Sequence, residues 1–200
     1  MADDSDGALR VFTIGHSNHS VERLVELLGE HHIDVVADVR SAPYSRYTPQ
    51  FNRPALARLL PAHDVEYEFL GDSLGGRPDD PECYDPAGHV VYDLLEATSE
   101  YRQGVDVVLR KAEFGNRICL MCSEEDPTVC HRALSVGHFL HERGVIVEHI
   151  RGDGSIEVQS ALQGKAINKP QQFSLFEELP QRKSLLPASR ERPPSSSLES

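Results

Sequence analysis

Short apolar runs alternate with amphipathic stretches through most of the chain. The apolar runs are typical of buried strands, and we predict strands at residues 10–15, 33–39, 65–70, 117–121 and 145–150, with a short edge strand at 155–158. The amphipathic stretches predict helices at residues 21–31, 54–60, 89–113 and 127–143, the third in two pieces that break near Gly104. Because strands alternate with helices, we predict a single Rossmann-like α/β domain with a mostly parallel sheet flanked by helices.

The character of the sequence changes after residue 159. Residues 160–200 hold five of the 13 prolines and include the run Pro-Pro-Ser-Ser-Ser. Such a segment offers too little apolar surface to offset the entropy lost on ordering, so we predict a disordered C-terminal tail. The predicted organisation is a flexible N-terminus at 1–9, an α/β domain at 10–159 and the tail at 160–200.

Composition narrows the class of protein. The chain has 200 residues, 39% of them hydrophobic, and no apolar run approaches the roughly 20 residues of a membrane-spanning helix. The acidic N-terminus lacks the features of a signal peptide, so we expect a cytoplasmic protein with no membrane partner and with its four cysteines reduced. A net charge of -12 argues against a generic basic nucleic-acid coat but leaves room for a local basic pocket.

Polar and reactive side chains follow several of the predicted strands. Ligands of parallel sheets bind beyond the carboxyl ends of the strands. We therefore expect one pocket built from strand ends and from the helix that Asp126 and Pro127 begin. Its candidate residues are His16 and Ser17 after the first strand, Asp38, Arg40 and Ser41 after the second, Cys122 and Glu124 after the fourth, and Cys130, His131 and Arg132 on the helix.

Two kinds of chemistry fit these residues. Arg40 and Arg132 would form an anion clamp, because guanidinium groups bind phosphate with two hydrogen bonds. The alternative is a structural ion pair of Asp38 with arginine. A cysteine near a helix N-terminus and a histidine is a candidate low-pKa thiol, which makes Cys122 or Cys130 a candidate nucleophile. The alternative is a small packed side chain.

Three further patterns give weaker indications of function. Cys119 and Cys122 have the C-x-x-C spacing, but Cys119 lies inside a strand, so we interpret it as a buried thiol. Cys130 and His131 would point about 100° apart on a helix, and we predict no metal site. The loop 41–52 contains Tyr44 and Arg46, which would stack on and clamp a base; alternatively its aromatic residues form a lid on the core.

Four ordered motifs resemble a known family. They are Thr-Ile-Gly-His-Ser-Asn-His-Ser (13–20), Asp-Val-Arg-Ser-Ala-Pro-Tyr-Ser-Arg (38–46), Phe-Leu-Gly-Asp-Ser-Leu-Gly-Gly-Arg-Pro (69–78) and Cys-Ser-Glu-Glu-Asp-Pro-Thr-Val-Cys-His-Arg (122–132). Together they resemble the bacterial and archaeal proteins catalogued as domain of unknown function 488, over residues 11 to about 150. The resemblance implies an α/β domain whose motif residues include the strand-end candidates named above, and it leaves Cys119 outside the pattern.

A peptide in the tail carries a second, independent resemblance. Gln172, Phe173, Ser174, Leu175 and Phe176 are similar to the bacterial sliding-clamp binding peptide, which usually has leucine where Phe173 stands. The resemblance implies that Gln172 bonds the rim of the pocket on the clamp while Leu175 and Phe176 fill it. Alternatively, this peptide folds back onto an apolar surface of the domain.

These observations support two hypotheses of different classes. The first is an enzyme that acts on a nucleotide or nucleic acid in DNA repair or replication upkeep, recruited by the sliding clamp. Cys122, Cys130 and His131 would supply the nucleophile or acid and base, and Asp38 or Glu124 would orient or deprotonate. The second is a module that binds a nucleotide or DNA end at the same pocket without turnover. A thiol–disulfide protein is a third hypothesis, and the cofactor is left unknown.

Overall fold

A six-stranded sheet lies at the centre of the computed structural model, which describes residues 7–162 and 181–187. The strands run in the order β3-β2-β4-β1-β5-β6, and all neighbours are parallel except the antiparallel pair β5 and β6. Their bounds are Arg10–Gly15 (β1), Val35–Asp38 (β2), Glu66–Phe69 (β3), Ile118–Cys122 (β4), Ile146–Ile150 (β5) and Ile156–Val158 (β6). The predicted Rossmann-like α/β fold with a mostly parallel sheet is confirmed.

Helices connect the strands and cover both faces of the sheet. They are α1 (Val21–Glu30), α2 (Arg53–Leu59), α3 (Gly71–Leu74), α4 (Tyr92–Ala97), α5 (Ser99–Glu113) and α6 (His138–His141), with a π-helical segment at Arg132–Gly137 that continues into α6. The start of α1 follows the sequence signal, because the Ser20 hydroxyl accepts a hydrogen bond from the backbone of Arg23. Among the described residues, no helix is both long enough and apolar enough to cross a membrane.

The sheet separates two hydrophobic cores. Strand β4 is buried along its whole length, and its side chains alternate between the two faces. Ile118, Leu120 and Cys122 face the core that contains residues of α4, α5 and α6, while Cys119 and Met121 face the core that contains residues of α1 and α2. This two-sided burial explains why the strands read as near-continuous apolar runs.

The helical region 89–113 breaks at a different place from the one predicted. Thr98, not Gly104, separates α4 from α5, and its hydroxyl accepts a hydrogen bond from the backbone of Tyr101 to cap α5. Gly104 lies inside α5, where a Cβ atom would overlap Ser73 and Leu74 of α3. The glycine therefore permits close packing of two helices and does not end one.

The prediction of a helix at residues 127–143 is also wrong for its first residues. Asp126 and Pro127 do start a helix, but it is a single 3-10 turn, Pro127–Val129. Cys130 follows with extended backbone angles, φ -115° and ψ 137°. The longer helix begins only afterwards, and it accepts its first backbone hydrogen bonds at the carbonyl of Cys130. Cys130 thus stands directly at the start of that helix and outside its regular turns.

Part of the predicted tail packs against the domain. Arg182 forms ion pairs with Asp93 and Glu96 on α4, each at 2.6 Å, and Lys183 pairs with Val91 in an antiparallel β-bridge. These contacts could not be predicted from the sequence, because Arg182 and Lys183 belong to no periodic pattern. The clamp-like peptide 172–176 lies outside the described residues.

Candidate functional site

A polar cleft opens at the carboxyl ends of β1, β2 and β4. It has a volume of about 340 Å³, within the usual range for small-ligand sites. In the sheet order, β4 stands between β1 and β2, so the loops after these three strands are neighbours. The cleft is lined by His16, Ser17, Asn18, Arg40, Ala42, Tyr44, Ser45, Thr48, Ser123, Glu124 and Glu125.

The first and fourth strands extend their pairing into this site. The backbone amides of His16 and Ser17 donate to the carbonyls of Cys122 and Ser123 at 2.9 and 2.8 Å. A Cβ atom on Gly15 would overlap the Glu124 carbonyl, so glycine is required for this close approach. Ser17 has a φ of 46°, in the left-handed region that strains a serine. Such strain is often concentrated at functional sites.

A buried ion pair forms the wall of the cleft below His16. Arg40 donates from Nε and Nη2 to the two carboxylate oxygens of Asp38 at 2.8 and 2.6 Å, and from Nη2 to the Phe51 carbonyl at 2.8 Å. Its Nη1 lies 3.0 Å from His16 Nε2. These contacts use four of the five N–H bonds of the guanidinium, which leaves one for a ligand. The alternative of an Asp38–Arg40 ion pair is thereby confirmed.

His16 is a neutral acceptor in this network. Its Nδ1 lies 2.9 Å from the Ser17 carbonyl, which can only accept, so Nδ1 carries the hydrogen and Nε2 accepts from Arg40. Burial, and then the positive charge of Arg40, lower the pKa of His16 to about 4. Tyr67 donates its hydroxyl to Asp38 at 2.7 Å, and burial raises the pKa of that tyrosine. His16 therefore serves in positioning Arg40 near neutral pH.

Arg132 does not line the cleft. It is fully buried and donates to the Glu124 carbonyl, to the Glu125 carbonyl at 2.7 Å and to Thr13 Oγ1 at 3.2 Å. These bonds hold the loop after β4 from behind. The predicted anion clamp of two arginines thus retains only Arg40, and Arg132 is a positioning residue for the loop. The strand-end rule placed both arginines at the correct edge but could not assign their partners.

A second buried histidine, His149 on β5, is connected to Arg132 through the Thr13 hydroxyl on the same face of the sheet. His149 Nδ1 lies 2.7 Å from Thr13 Oγ1, and its Nε2 lies 2.7 Å from Gln159 Oε1. Because the amide nitrogen of Gln159 donates to the Ala133 carbonyl, the oxygen must face His149. His149 is therefore neutral, with Nε2 as donor and Nδ1 as acceptor. Burial, reinforced by the charge of Arg132, lowers the pKa of His149 to about 4.

These two histidines make stability depend on pH. Their folded pKa of about 4 lies below the usual 6.5, so the unfolded chain takes up protons first as the pH falls. We expect the free energy of unfolding to fall between pH 6.5 and 4, by up to about 3 kcal/mol for each histidine. Urea titrations at several pH values measure this loss. His149→Asn should flatten the profile of stability against pH, and a profile equal to that of the wild type would contradict the expectation.

A cluster of two thiols and an imidazole lies just behind the cleft. Cys122 Sγ and Cys130 Sγ lie 3.7 and 3.9 Å from His131 Nδ1. All three atoms lie within 4.8 Å of one another. Cys122 immediately precedes Ser123 of the cleft wall, but neither cysteine lines the cleft. We refer to Cys122, Cys130 and His131 as the thiol cluster.

The two thiols differ in their acidity. The pKa of Cys130 lies well below its usual value, because Cys122 and His131 hydrogen bond to its thiolate and Arg132 lies near it. The pKa of Cys122 lies well above its usual value, because it donates to Cys130 and because it is buried. Burial lowers the pKa of His131, but the hydrogen bond and charge of Cys130 outweigh it and raise that pKa. Without a bound ligand, the cluster favours a thiolate at Cys130.

The loop after α3 covers this cluster. A Cβ atom on Gly76 would crowd the ring of His131, and one on Gly75 would overlap the Ser41 hydroxyl. Ser41 accepts a hydrogen bond from the backbone of Arg77 at 2.9 Å, which ties this loop to the end of β2. The closeness of Gly76 to His131 arises from the packing of this loop in the fold and could not be deduced from local sequence.

The remaining predicted residues divide between the cleft and its surroundings. Tyr44 and Glu124 line the cleft, whereas Arg46 lies over the ring of Tyr47 at 4.7 Å outside it. Cys119 is fully buried on the opposite face of the sheet from Cys122, as its alternation predicts. Sequence reasoning missed several small polar residues of the cleft, which have no distinctive spacing: Asn18, Ser45, Thr48 and Ser123.

A parallel α/β fold with a polar strand-end cleft defines the class of this protein. Within that class, the sequence model described as "Domain of unknown function DUF488" matches residues 20–137, more than half of the chain. The chain therefore belongs to the DUF488 family. Comparisons with curated proteins and with solved structures found no match.

Proposed function

We propose that this protein is an enzyme that acts on a nucleotide or a nucleic acid in DNA repair or replication upkeep, and that the sliding clamp recruits it. The observation that carries the proposal is the position of a ligand-sized cleft and a cluster of reactive side chains at the end of the same strand, β4. We place the reaction in the cytoplasm, where the four free cysteines remain reduced.

The cleft supplies recognition. Tyr44 is 64% exposed and lines the cleft, so its ring is available to stack on a base. The remaining N–H of Arg40 and the hydroxyls of Ser17 and Ser123 are suited to oxygen atoms of a sugar or phosphate. The acidic Glu124 and Glu125 in the same wall disfavour a long polyanion there. A single nucleotide unit, free or at a strand end, is therefore the preferred ligand.

The thiol cluster and Glu124 provide the reactive groups for catalysis. Glu124 lines the cleft and is a candidate acid or base for a bound ligand. Cys122, Cys130 and His131 provide nucleophilic or ligating atoms at the end of the same strand. Asp38 acts through Arg40, because its carboxylate is fully buried behind the guanidinium.

One observation favours a second candidate function. Neither cysteine of the thiol cluster lines the cleft, and Cys130 is only 2% exposed. A module that binds a nucleotide or a DNA end without turnover would use the same cleft and keep the cluster for stability. Binding and turnover must therefore be measured separately.

Replacement of Tyr44 tests the proposal. We expect Tyr44→Ala to weaken binding of nucleotides and of a fluorescent single-stranded DNA oligonucleotide by about 10-fold, the loss typical of one stacked base. Tyr47→Ala is the matched control, because Tyr47 lies in the same loop, is 78% exposed and does not line the cleft. Titration calorimetry and fluorescence anisotropy measure both.

Turnover then separates the two functions. Incubation of the wild-type chain with each ligand that binds, followed by mass spectrometry of the products, detects a reaction of any type. Cys130→Ser should retain binding and lose turnover if the chain is an enzyme. Binding without any product would leave the non-catalytic module, and no binding at millimolar nucleotide would contradict both functions.

A further inference from the structure

The three atoms of the thiol cluster have the spacing of a metal site. Zinc lies about 2.3 Å from a thiolate and about 2.0 Å from a histidine nitrogen, which in a tetrahedral site separates sulfur from nitrogen by about 3.5 Å. The observed separations from His131 Nδ1 are 3.7 Å to Cys122 Sγ and 3.9 Å to Cys130 Sγ. Both separations are within about half an ångström of the tetrahedral value, and all three atoms lie within 4.8 Å of one another.

The orientation of His131 is a second, independent indication. Its Nε2 lies 2.9 Å from the Val39 carbonyl, so this nitrogen must carry the hydrogen and donate it. Nδ1 consequently points toward the two sulfurs. Histidine ligands of metals usually show this arrangement, in which the nitrogen that does not bind the metal donates to a carbonyl or carboxylate.

The local backbone removes the objection that arises from helical spacing. Neighbouring residues on an α-helix point about 100° apart, which would separate Cys130 from His131. Cys130 instead has extended backbone angles and precedes the helix. The change of conformation between the two residues lets both side chains approach Cys122 from the same side.

We propose that Cys122, Cys130 and His131 bind one thiophilic divalent ion of the zinc class. Sulfur and imidazole ligands select such an ion against Mg²⁺ or Ca²⁺, which prefer oxygen. Two thiolates neutralise the charge of the ion, so that a buried site can hold it. Three protein ligands leave one tetrahedral position for water or substrate, the pattern of catalytic and not of structural zinc sites.

The inference goes beyond the proposed function and does not depend on it. Metal binding by the cluster would hold equally for an enzyme or for a binding module. If the chain is an enzyme, the two cysteines act as ligands, and the bound ion supplies the electrophile or the activated water. The result of the metal-binding experiment is therefore independent of the results of the nucleotide-binding and turnover experiments.

Metal content and a spectroscopic probe test the proposal on the full chain. We expect about one zinc per chain by mass spectrometry of the metal, after purification under reducing conditions with added Zn²⁺. Replacement by Co²⁺ should give an intense thiolate-to-cobalt charge-transfer band and the visible bands of a tetrahedral ion. Cys122→Ser, Cys130→Ser and His131→Gln should each lose most of the bound metal.

Two buried cysteines outside the cluster provide matched controls. Cys83→Ser and Cys119→Ser remove equally buried thiols, and both should keep full stoichiometry and the cobalt spectrum. Circular dichroism and the melting temperature establish that each variant is folded. A folded wild-type chain that binds neither ion at micromolar concentration would overturn the proposal, as would a Cys122–Cys130 disulfide that persists under these reducing conditions.

If the ligand variants do not fold, thiol alkylation of the wild type decides instead. Bound Zn²⁺ should protect Cys122 and Cys130 from iodoacetamide, and a chelator should remove that protection, with the sites identified by peptide mass spectrometry. Alkylation of the two cysteines at the same rate with and without Zn²⁺ would exclude them as ligands.

Discussion

Replacement of Asp38 by asparagine is expected to destabilise the protein by about 3 to 5 kcal/mol, the usual cost of removing one partner of a buried ion pair. Asp38 is fully buried, and its carboxylate accepts from Arg40 and from the hydroxyl of Tyr67. Asparagine keeps the volume but turns an amide toward these donors. The Arg40 charge, only 5% exposed, would then remain without its counter-ion. Urea unfolding followed by circular dichroism measures the change.

A surface ion pair provides the matched control. Lys111 contacts Glu66 at 2.7 Å, and the Glu66 side chain is 56% exposed. Because solvent screens such a pair, Glu66→Gln should cost no more than about 1 kcal/mol. Combining Asp38→Asn with Arg40→Met removes both buried charges, and the double variant should be more stable than the two single losses together imply. A cost under about 1 kcal/mol for Asp38→Asn alone would show that Arg40 does not depend on this carboxylate.

The ion pair of Asp38 and Arg40 shows which features of the site can be predicted from the sequence. Asp38 and Arg40 follow a buried strand, and the strand-end rule correctly places them beside His16. The sequence also offers an ion pair as the alternative to an anion clamp. It cannot decide between them, because the choice depends on Phe51, whose carbonyl accepts from Arg40, and on Tyr67, whose hydroxyl donates to Asp38.

The sequence predicts the strands of the sheet more accurately than it predicts the helix near the thiol cluster. Apolar runs identify the strands because each core strand is buried on both faces, a property that local sequence carries directly. Asp126 and Pro127 are a genuine start signal, but a single 3-10 turn satisfies it. Arg132 then bonds the carbonyls of Glu124 and Glu125 and holds the turn in place. Cys130 follows that turn in an extended conformation, which the start signal does not predict.

The contacts of residues 181–187 change how the clamp-like peptide is connected to the domain. Leu162 is buried, and Arg182 is held by Asp93 and Glu96. Residues 172–176 therefore belong to a stretch of chain that joins two segments in contact with the domain. If a sliding clamp binds this peptide, the clamp would be tethered to the domain from both ends of the stretch.

The isolated peptide 168–180 is expected to bind a bacterial sliding clamp with an affinity on the order of micromolar, because a short apolar anchor buries little surface. Replacing Leu175 and Phe176 by alanine should abolish binding, since both side chains would leave an apolar pocket unfilled. Phe173→Leu should tighten binding, because leucine is the commoner residue of the motif at that position. Isothermal titration calorimetry of the three peptides measures all of these effects.

Two variants of the full chain distinguish binding to the clamp from the contacts of the tail with the domain. Arg182→Ala removes the ion pairs with Asp93 and Glu96 and should lower the melting temperature while the affinity for the clamp stays within about 2-fold. The Leu175 and Phe176 double variant should do the reverse: it should lose the clamp and keep the melting temperature. If instead that double variant melts earlier and the free peptide shows no binding at hundreds of micromolar, the peptide belongs to the domain surface, and the assignment to DNA metabolism loses its main support.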